Sequence, residues 1–339
     1  MAAYLRRPAT HAARLERWLG AETLALFKHA TQGRDLEPIP VANCPGVFSY
    51  DGDFYGGISG GGFASLSDLI SEMTTGGKGQ LLNFSKTGIT AIVGVAADLW
   101  RDAGIPGASP AAAGFAAGES PDNTSAYGLG QTNATGGDTL HFINGWVMPT
   151  VGANLVLLYD RFYQGNHTMT VDPQSVTGVP GRYQSTDAKG CFIGQFVTTI
   201  LPAATPTYTV TYMDQDGNTA ENAAAQTIVS GAIVGRFPYA LTVGGGWRIP
   251  LNAGDTGVRK ITNLDLSAAM ASGACDVFLG KPIAWLPAPI ANIPYVVDGV
   301  NSFLSLTRVY DGACLALMEV AKGAVTATTY TGSIMLASG

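Results

Sequence analysis

The order of apolar and polar positions divides the chain into stretches of different character. In THAARLERWLGAETLALFKHATQ, residues 10–32, the side chains Ala12, Leu15, Trp18, Leu19, Leu24 and Phe27 recur at helical spacing, with Thr10 placed to cap the start and Gly33 to end it. A second, short helix is predicted over 65–75, where Ser65 and Asp68 make a capping-box-like pair ahead of LISEM and Gly76-Gly77 stop it. Further on, short runs rich in Val, Ile, Thr, Tyr and Phe alternate with Gly, Pro, Asn and Asp, the pattern of antiparallel β domains. Strands are predicted at 139–149, 152–160, 167–171, 191–200, 207–214, 226–235, 258–266, 275–280, 304–310, 313–319 and 328–336. No helical pattern separates them as parallel βαβ units would require, and no repeat of fixed period points to a solenoid or propeller. The fold class is therefore mainly β: an antiparallel β-sandwich or jelly-roll-like body with an N-terminal helix and extended Gly/Ala-rich arms.

Residues 102–138 carry many small side chains and almost no large apolar ones, too few to form a core of their own. Such a stretch is a flexible linker or an arm lying on a neighbouring subunit, and the arm fits a chain this poor in charge. The helix over 10–32 is expected to dock in the same way, through its Leu15, Trp18 and Leu19 stripe. The organisation read from this is an N-terminal helical and glycine-rich arm region at 1–80, a connecting segment at 81–138, and a β-sandwich body at 139–339, divisible into 139–205 and 206–339.

Composition sharpens the picture. Of the 339 residues 46% are hydrophobic and only 13% charged, where about a quarter is usual. Depletion of charge marks the cores of permanent interfaces, so much of the surface is expected to be covered by other subunits. The alternative is a large single domain with a weakly polar Ser/Thr/Asn/Gly surface. The net charge is −6, and the 19 Lys and Arg are scattered with no run longer than Arg6-Arg7, which argues against direct nucleic-acid binding. Cys44, Cys191, Cys275 and Cys314 lie far apart without a CxxC pair, as buried apolar residues do and a zinc site does not. No run of 18 apolar residues suggests a membrane span. The N-terminus lacks the apolar region of a secretory signal, and Pro8 and Glu16 depart from a transit-peptide pattern, so the chain is expected to stay in the cytosol where it is made. The sequons at Asn123, Asn133 and Asn166 would then carry no sugar.

Several short patterns resemble functional motifs. In YMDQDGNTAENAA, Asp214, Asp216, Asn218 and Glu221 are spaced almost as calcium ligands, but the twelfth position from Asp214 is Ala225 and the preceding residues alternate as a strand does. A hairpin bend through Asp216-Gly217-Asn218 is the expectation. Gly57, Ser59 and Gly61 satisfy G-x-S-x-G without the strand-to-helix turn that would make Ser59 a nucleophile, and His141 and His167 downstream have no catalytic context. TTGGKGQ around Lys78 lacks the first glycine of a phosphate loop and the hydroxyl after the lysine. Asp51 and Asp53 flank Gly52 as in a turn; Asp98, Arg101 and Asp102 are expected to form a solvated or interfacial end to an apolar run. Trp18, Trp100, Trp146, Trp247 and Trp285 are scattered, as core residues are. No catalytic, cofactor-binding or metal-ligating residue is assigned, and no enzymatic activity is expected.

The segments FSKTGITAIVGVAADLWRDAGIPGA (84–108), GGDTLHFINGWVMPTVGANLVLLYDRFY (136–163), AIVGRFPYALTVGGGWRIPLNAGDTGVRKITNLDLS (232–267) and RVYDGACLALMEV (308–320) resemble, in this order, virion structural proteins of tailed bacteriophages. The resemblance covers most of residues 80–339, leaves the first 60 outside, and rests on phrase order. It implies a virion component, most readily a capsid decoration or cement protein, otherwise a tail, baseplate or fibre part. Its partners would be copies of itself, with a trimer favoured, and the major capsid or other virion proteins. A host-surface carbohydrate-binding or hydrolase sandwich is the competing class.

Overall fold

A computed structural model describes residues 63, 65–88, 95–114, 117–152, 154–229, 231–232, 234–239, 247–302, 306–321 and 327–339. The helix predicted over 10–32 and the loops around Asp51, Asp53 and Ser59 lie outside these residues, as do Trp18 and Cys44. In chain order the elements are α1 (Leu66–Thr74), β1 (Gly79–Thr87), β2 (Ala96–Asp98), β3 (Gly104–Ile105), β4 (Leu140–Pro149), β5 (Asn154–Thr168), β6 (Gln174–Ser175), β7 (Phe192–Thr199) and β8 (Thr207–Asp214). There follow β9 (Glu221–Asn222), β10 (Gln226–Thr227), β11 (Val258–Leu266), β12 (Ala274–Ala288), β13 (Tyr295–Asp298), α2 (Gly299–Ser302), β14 (Arg308–Val309), β15 (Leu315–Ala321) and β16 (Thr329–Ser338).

α1 forms where the capping pair predicts. The Ser65 side chain accepts from the Asp68 amide at 3.1 Å, and the chain leaves the helix through Gly77 at φ 62°, a conformation that glycine adopts without strain. Leu69 is the buried residue of this helix and packs with Ile143 and Ala337.

The strands make three antiparallel sheets, as the absence of helical crossovers predicts. The first has the order β13-β4-β16-β1-β3, with β14 also on β4; the second is β2-β15-β5-β12-β7; the third is β10-β8-β11-β6, with β9 also on β8. The second sheet lies between two cores. On β5, Val156 and Leu158 belong to the cluster shared with Phe142, Val147 and Ile334 of the first sheet, whereas Leu157 and Tyr159 belong to the cluster shared with Tyr208, Val210 and Ile261 of the third. Period-2 alternation with both faces covered makes a strand apolar throughout, hence the run LVLLY. Each sheet draws strands from both sides of residue 205, and β1 at 79–87 enters the first sheet between β16 and β3.

Both edge strands of the middle sheet are bonded by one short segment. Segment 235–237 bonds to β2 through Asp98 N to Gly235 O (2.8 Å) and Phe237 N to Ala96 O (3.0 Å), and to β7 through Gly235 N to Val197 O (2.8 Å) and Val197 N to Arg236 O (3.0 Å). One short stretch thus bonds to both edge strands of the sheet.

Two strands run past their predicted ends. β5 continues through Gln-Gly-Asn-His to Thr168, joining what reads as two strands, because β12 pairs with it across that stretch and Asn166 donates to Thr198 Oγ1 and to Asp276 Oδ1. β12 continues past Pro282 to Ala288 because the register shifts between Pro282 and Ala284, where a residue without an N–H is tolerated. Conversely, the described part of 226–235 contains only the two residues of β10, and that of 304–310 only β14.

The described residues of 102–138 lie on the surface of their own chain, which corrects the expectation of a neighbouring subunit. Glu119 and Gln164 exchange backbone hydrogen bonds (2.8 and 2.9 Å), Leu129 N donates to Leu315 O (2.9 Å), and the Gln80 and Thr132 amides bond reciprocally at 2.7 Å. The missing large side chains are replaced by hydrogen bonds to the strands beneath, which carry the apolar area.

Candidate functional site: buried charges and an uncharged sheet edge

Of the charged residues expected at a solvated or interfacial end of the apolar run, Asp98 is fully buried, while Arg101 and Asp102 are half-buried. Asp98, on β2, has its side chain fully excluded from water and pairs with Arg161 of β5, also fully buried, at 3.3 Å. The Arg161 guanidinium lies 4.2 Å from the ring centre of Phe278 and 5.3 Å from that of Trp100, and Asp98 also accepts from the Trp100 amide at 3.0 Å. Burial pushes the Asp98 carboxyl above its ordinary value, and Arg161 opposes that shift. The sequence offered no sign of this pair: the two residues are 63 positions apart.

A second pair stands next to it. Arg182 grips the Asp160 carboxylate with two nitrogens, Nε at 3.0 Å and Nη2 at 2.7 Å, while Tyr183 Oη (2.9 Å) and the Cys314 amide (2.8 Å) donate to the same group. Arg182 also donates to Pro121 O at 2.8 Å, tying the 102–138 strap to the sheet. Asp276 does the same further along, accepting from Asn166 at 2.8 Å and from the Ala112 amide, with Arg101 at 3.7 Å. Lys86, nearly inaccessible, donates to Asp102 O and Gly107 O at 3.0 and 3.1 Å. These groups hold backbone.

The remaining motif residues have structural partners. Lys78 lies between Glu72 and Asp138 at 2.9 and 2.8 Å. Asp214 accepts from the amides of Asp216 (2.9 Å) and Asn218 (2.8 Å) and from Asn218 Nδ2 (2.7 Å), and Gly217 has φ 93°, so the stretch is the predicted hairpin bend. These bonds hold its carboxyl below the ordinary value despite some desolvation. His167 is buried with Nδ1 3.1 Å from Tyr208 Oη, and burial lowers its pKa to about 4; His141 stands 2.7 Å from Thr139 Oγ1 and is shifted the same way for the same reason. Cys191, Cys275 and Cys314 are buried free thiols, as their isolation suggests, with Cys191 and Cys314 pushed up to about 12 by desolvation. Trp100 and Trp247 are core residues. Among the described residues no group of three His, Cys, Asp or Glu is arranged to hold a metal ion, and no helix is long and apolar enough to cross a membrane.

What the surface does offer is an uncharged, partly apolar stretch leading into a sheet edge. No Asp, Glu, Lys or Arg occurs between Pro282 and Val297, in β4, or in β16. Tyr295 and Val296 on the edge strand β13 are exposed, as are Ile290 and Ile293 ahead of it. Val296 pairs in register with the half-buried Trp146 of β4.

No protein-family model matches the chain, and no curated protein matches it. Among solved structures, the VP2 subviral particle of infectious bursal disease virus aligns over 76% of this chain and 80% of its own at 8% identity and a TM-score of 0.17. A structure of the Gx strain of the same virus aligns over 77% and 79% at 7% identity and a TM-score of 0.18. Overlap at TM-scores this low does not amount to a shared fold.

Proposed function

We propose that this chain is a structural component of a tailed-bacteriophage virion, most readily a head decoration or cement protein that works by packing against copies of itself and other virion proteins, and that it is not an enzyme. The disposition of charge carries the reading. Asp98, Arg161, Asp160 and Asp276 lie in the interior, where they fasten one segment of the chain to another, while the edge at β13 shows Ile290, Ile293, Tyr295 and Val296 in a stretch without charge. Interiors locked by ion pairs and surfaces depleted of charge suit a subunit that spends its life inside an assembly. The resemblance of most of residues 80–339, in phrase order, to tailed-phage virion proteins supports the same reading and a phage particle as its setting.

The experiment is to purify particles produced by the genome that encodes this chain, look for it by mass spectrometry, and locate it by cryo-electron microscopy. A fixed copy number on the head surface is the expected result, and density in the tail would move the assignment there. Its absence from purified particles, with the protein left in the lysate, would overturn the reading.

A further inference from the structure

We infer that the outer face of the first sheet binds a neutral oligosaccharide, with Trp146 as the platform on which a sugar ring lies. The inference goes beyond the virion reading and does not rest on it.

The register of the strands fixes which side chains share this face. Val147, Ile334 and Phe84 belong to the core cluster behind the sheet, so the residues that alternate with them turn outward. Val296, Trp146, Ser333 and Asn83 stand opposite one another in a row across β13, β4, β16 and β1. Met148, Thr331 and Ser85 make the next row. Neither row contains a charge, since Lys86, the charged residue of β1, takes the other face and is buried. Asn144, Met335 and Leu81 form a third row, ended by Asp298, whose Oδ1 accepts from the Val300 amide at 2.9 Å. Beyond it α1 covers the sheet, through Leu69 on Ala337.

The chemistry of the first two rows selects the ligand. Trp146 and Met148 are half-buried, Asn83 is exposed, and Ser333, between Trp146 and Asn83, is 4% exposed with an Oγ that has no hydrogen-bond partner. A buried hydroxyl left unbonded is costly, so whatever lies over Trp146 has to bring a donor or acceptor to Ser333 as well. An apolar protein surface would bury Asn83 and Thr331 without supplying partners, and a charged ligand would find no opposite charge in either row.

A pyranose meets both demands. The C–H bonds on one face of its ring lie on the indole and the thioether, and the hydroxyls at its rim donate to and accept from the Asn83 amide and the Ser333, Thr331 and Ser85 hydroxyls. From Trp146 to Asn83 is two strand spacings, about 10 Å, and the rows are about 7 Å apart, an area that suits a disaccharide or trisaccharide.

The test is titration calorimetry and saturation-transfer NMR on the full chain with the neutral trisaccharides maltotriose, cellotriose, mannotriose and chitotriose, and with anionic trigalacturonate. At least one neutral trisaccharide should bind, with its ring C–H protons most strongly saturated, and trigalacturonate should bind at least about tenfold more weakly. Trp146→Ala should raise the dissociation constant at least about tenfold and Asn83→Ala at least about threefold, whereas Trp146→Tyr should retain binding. Val179→Ser, exposed elsewhere on the surface, should match the wild type. Circular dichroism checks that each variant is folded; should Trp146→Ala unfold, Asn83→Ala and Trp146→Tyr carry the decision. Binding of none of the four neutral sugars, equal binding of trigalacturonate, normal binding by Asn83→Ala or a folded Trp146→Ala, or an equal loss in Val179→Ser would each overturn the inference. So would a wild type that binds no sugar and self-associates through Trp146, which would make this face a contact between subunits.

Discussion

Asp98 and Arg161 meet at 3.3 Å with both side chains completely out of water, between two aromatic rings and inside the curled middle sheet. Each charge is tolerated there because of the other. Removing one partner strands the survivor in a medium that solvates it poorly, a loss of about 3–5 kcal/mol for a buried pair, whereas removing both and filling the volume is far less harmful. Asp98→Asn and Arg161→Met should each lower the unfolding free energy by that order in urea titrations, and Asp98→Asn/Arg161→Met should lose less than the sum. Strict additivity would show that the two do not act as a pair.

Stability should peak in mildly acidic solution. Burial raises the Glu319 carboxyl from an ordinary 4.5 to about 7, with Tyr330 and Arg236 opposing the shift. Folding therefore favours its neutral form, and that contribution, about 3 kcal/mol, is complete below pH 4.5 and lost as the pH rises towards 7. His167 works in the opposite sense: lowered from 6.5 to about 4 by burial, it contributes stability above pH 6.5 that is lost as the pH falls towards 4. The two losses overlap between pH 4.5 and 6.5 and offset each other there, so unfolding curves from pH 4 to 8 should show a broad, shallow maximum in that window. Glu319→Gln should flatten the upper limb and His167→Gln the lower; an unchanged slope above pH 5 in Glu319→Gln would refute the assignment.

The bend at Asp214 should respond to mutation but not to calcium. Three donors converge on its carboxylate, so Asp214→Ala should cost about 1–3 kcal/mol, and Gly217→Ala, at φ 93°, about 1 kcal/mol. Thermal melts with millimolar calcium or with chelator should coincide. A melting temperature that rises with calcium in the wild type and not in Asp214→Ala would reverse the reading.

Arg182 joins the strap to the middle sheet through Asp160 and Pro121 O. Arg182→Met should leave the three sheets folded and loosen residues 117–138. Faster backbone amide exchange there, with protection in β5 and β12 retained, is the expected result; uniform loss of protection would place Arg182 in the global core instead.

The sequence alone was enough for whatever depends on near neighbours. Ser65 caps α1 because Asp68 is three residues away, the Asp216-Gly217-Asn218 bend forms because its partner Asp214 is adjacent, and YTVTYM alternates into β8 because successive side chains in a strand take opposite faces. The antiparallel β class follows from the same short-range signals. Only the tertiary structure decided where charge is hidden, which strands ignore their turn-like residues, and what the 102–138 stretch lies on. Asp98 meets Arg161 63 positions away, Asp276 meets Ala112 across 164, and β5 passes through Gln-Gly-Asn-His because β12 brings ladder bonds and Asp276 to that stretch. Hydrogen bonding within a turn and the period of a strand are local properties. Desolvation is not, since whether a charge is buried depends on which distant segment arrives to cover it and whether that segment brings the opposite sign.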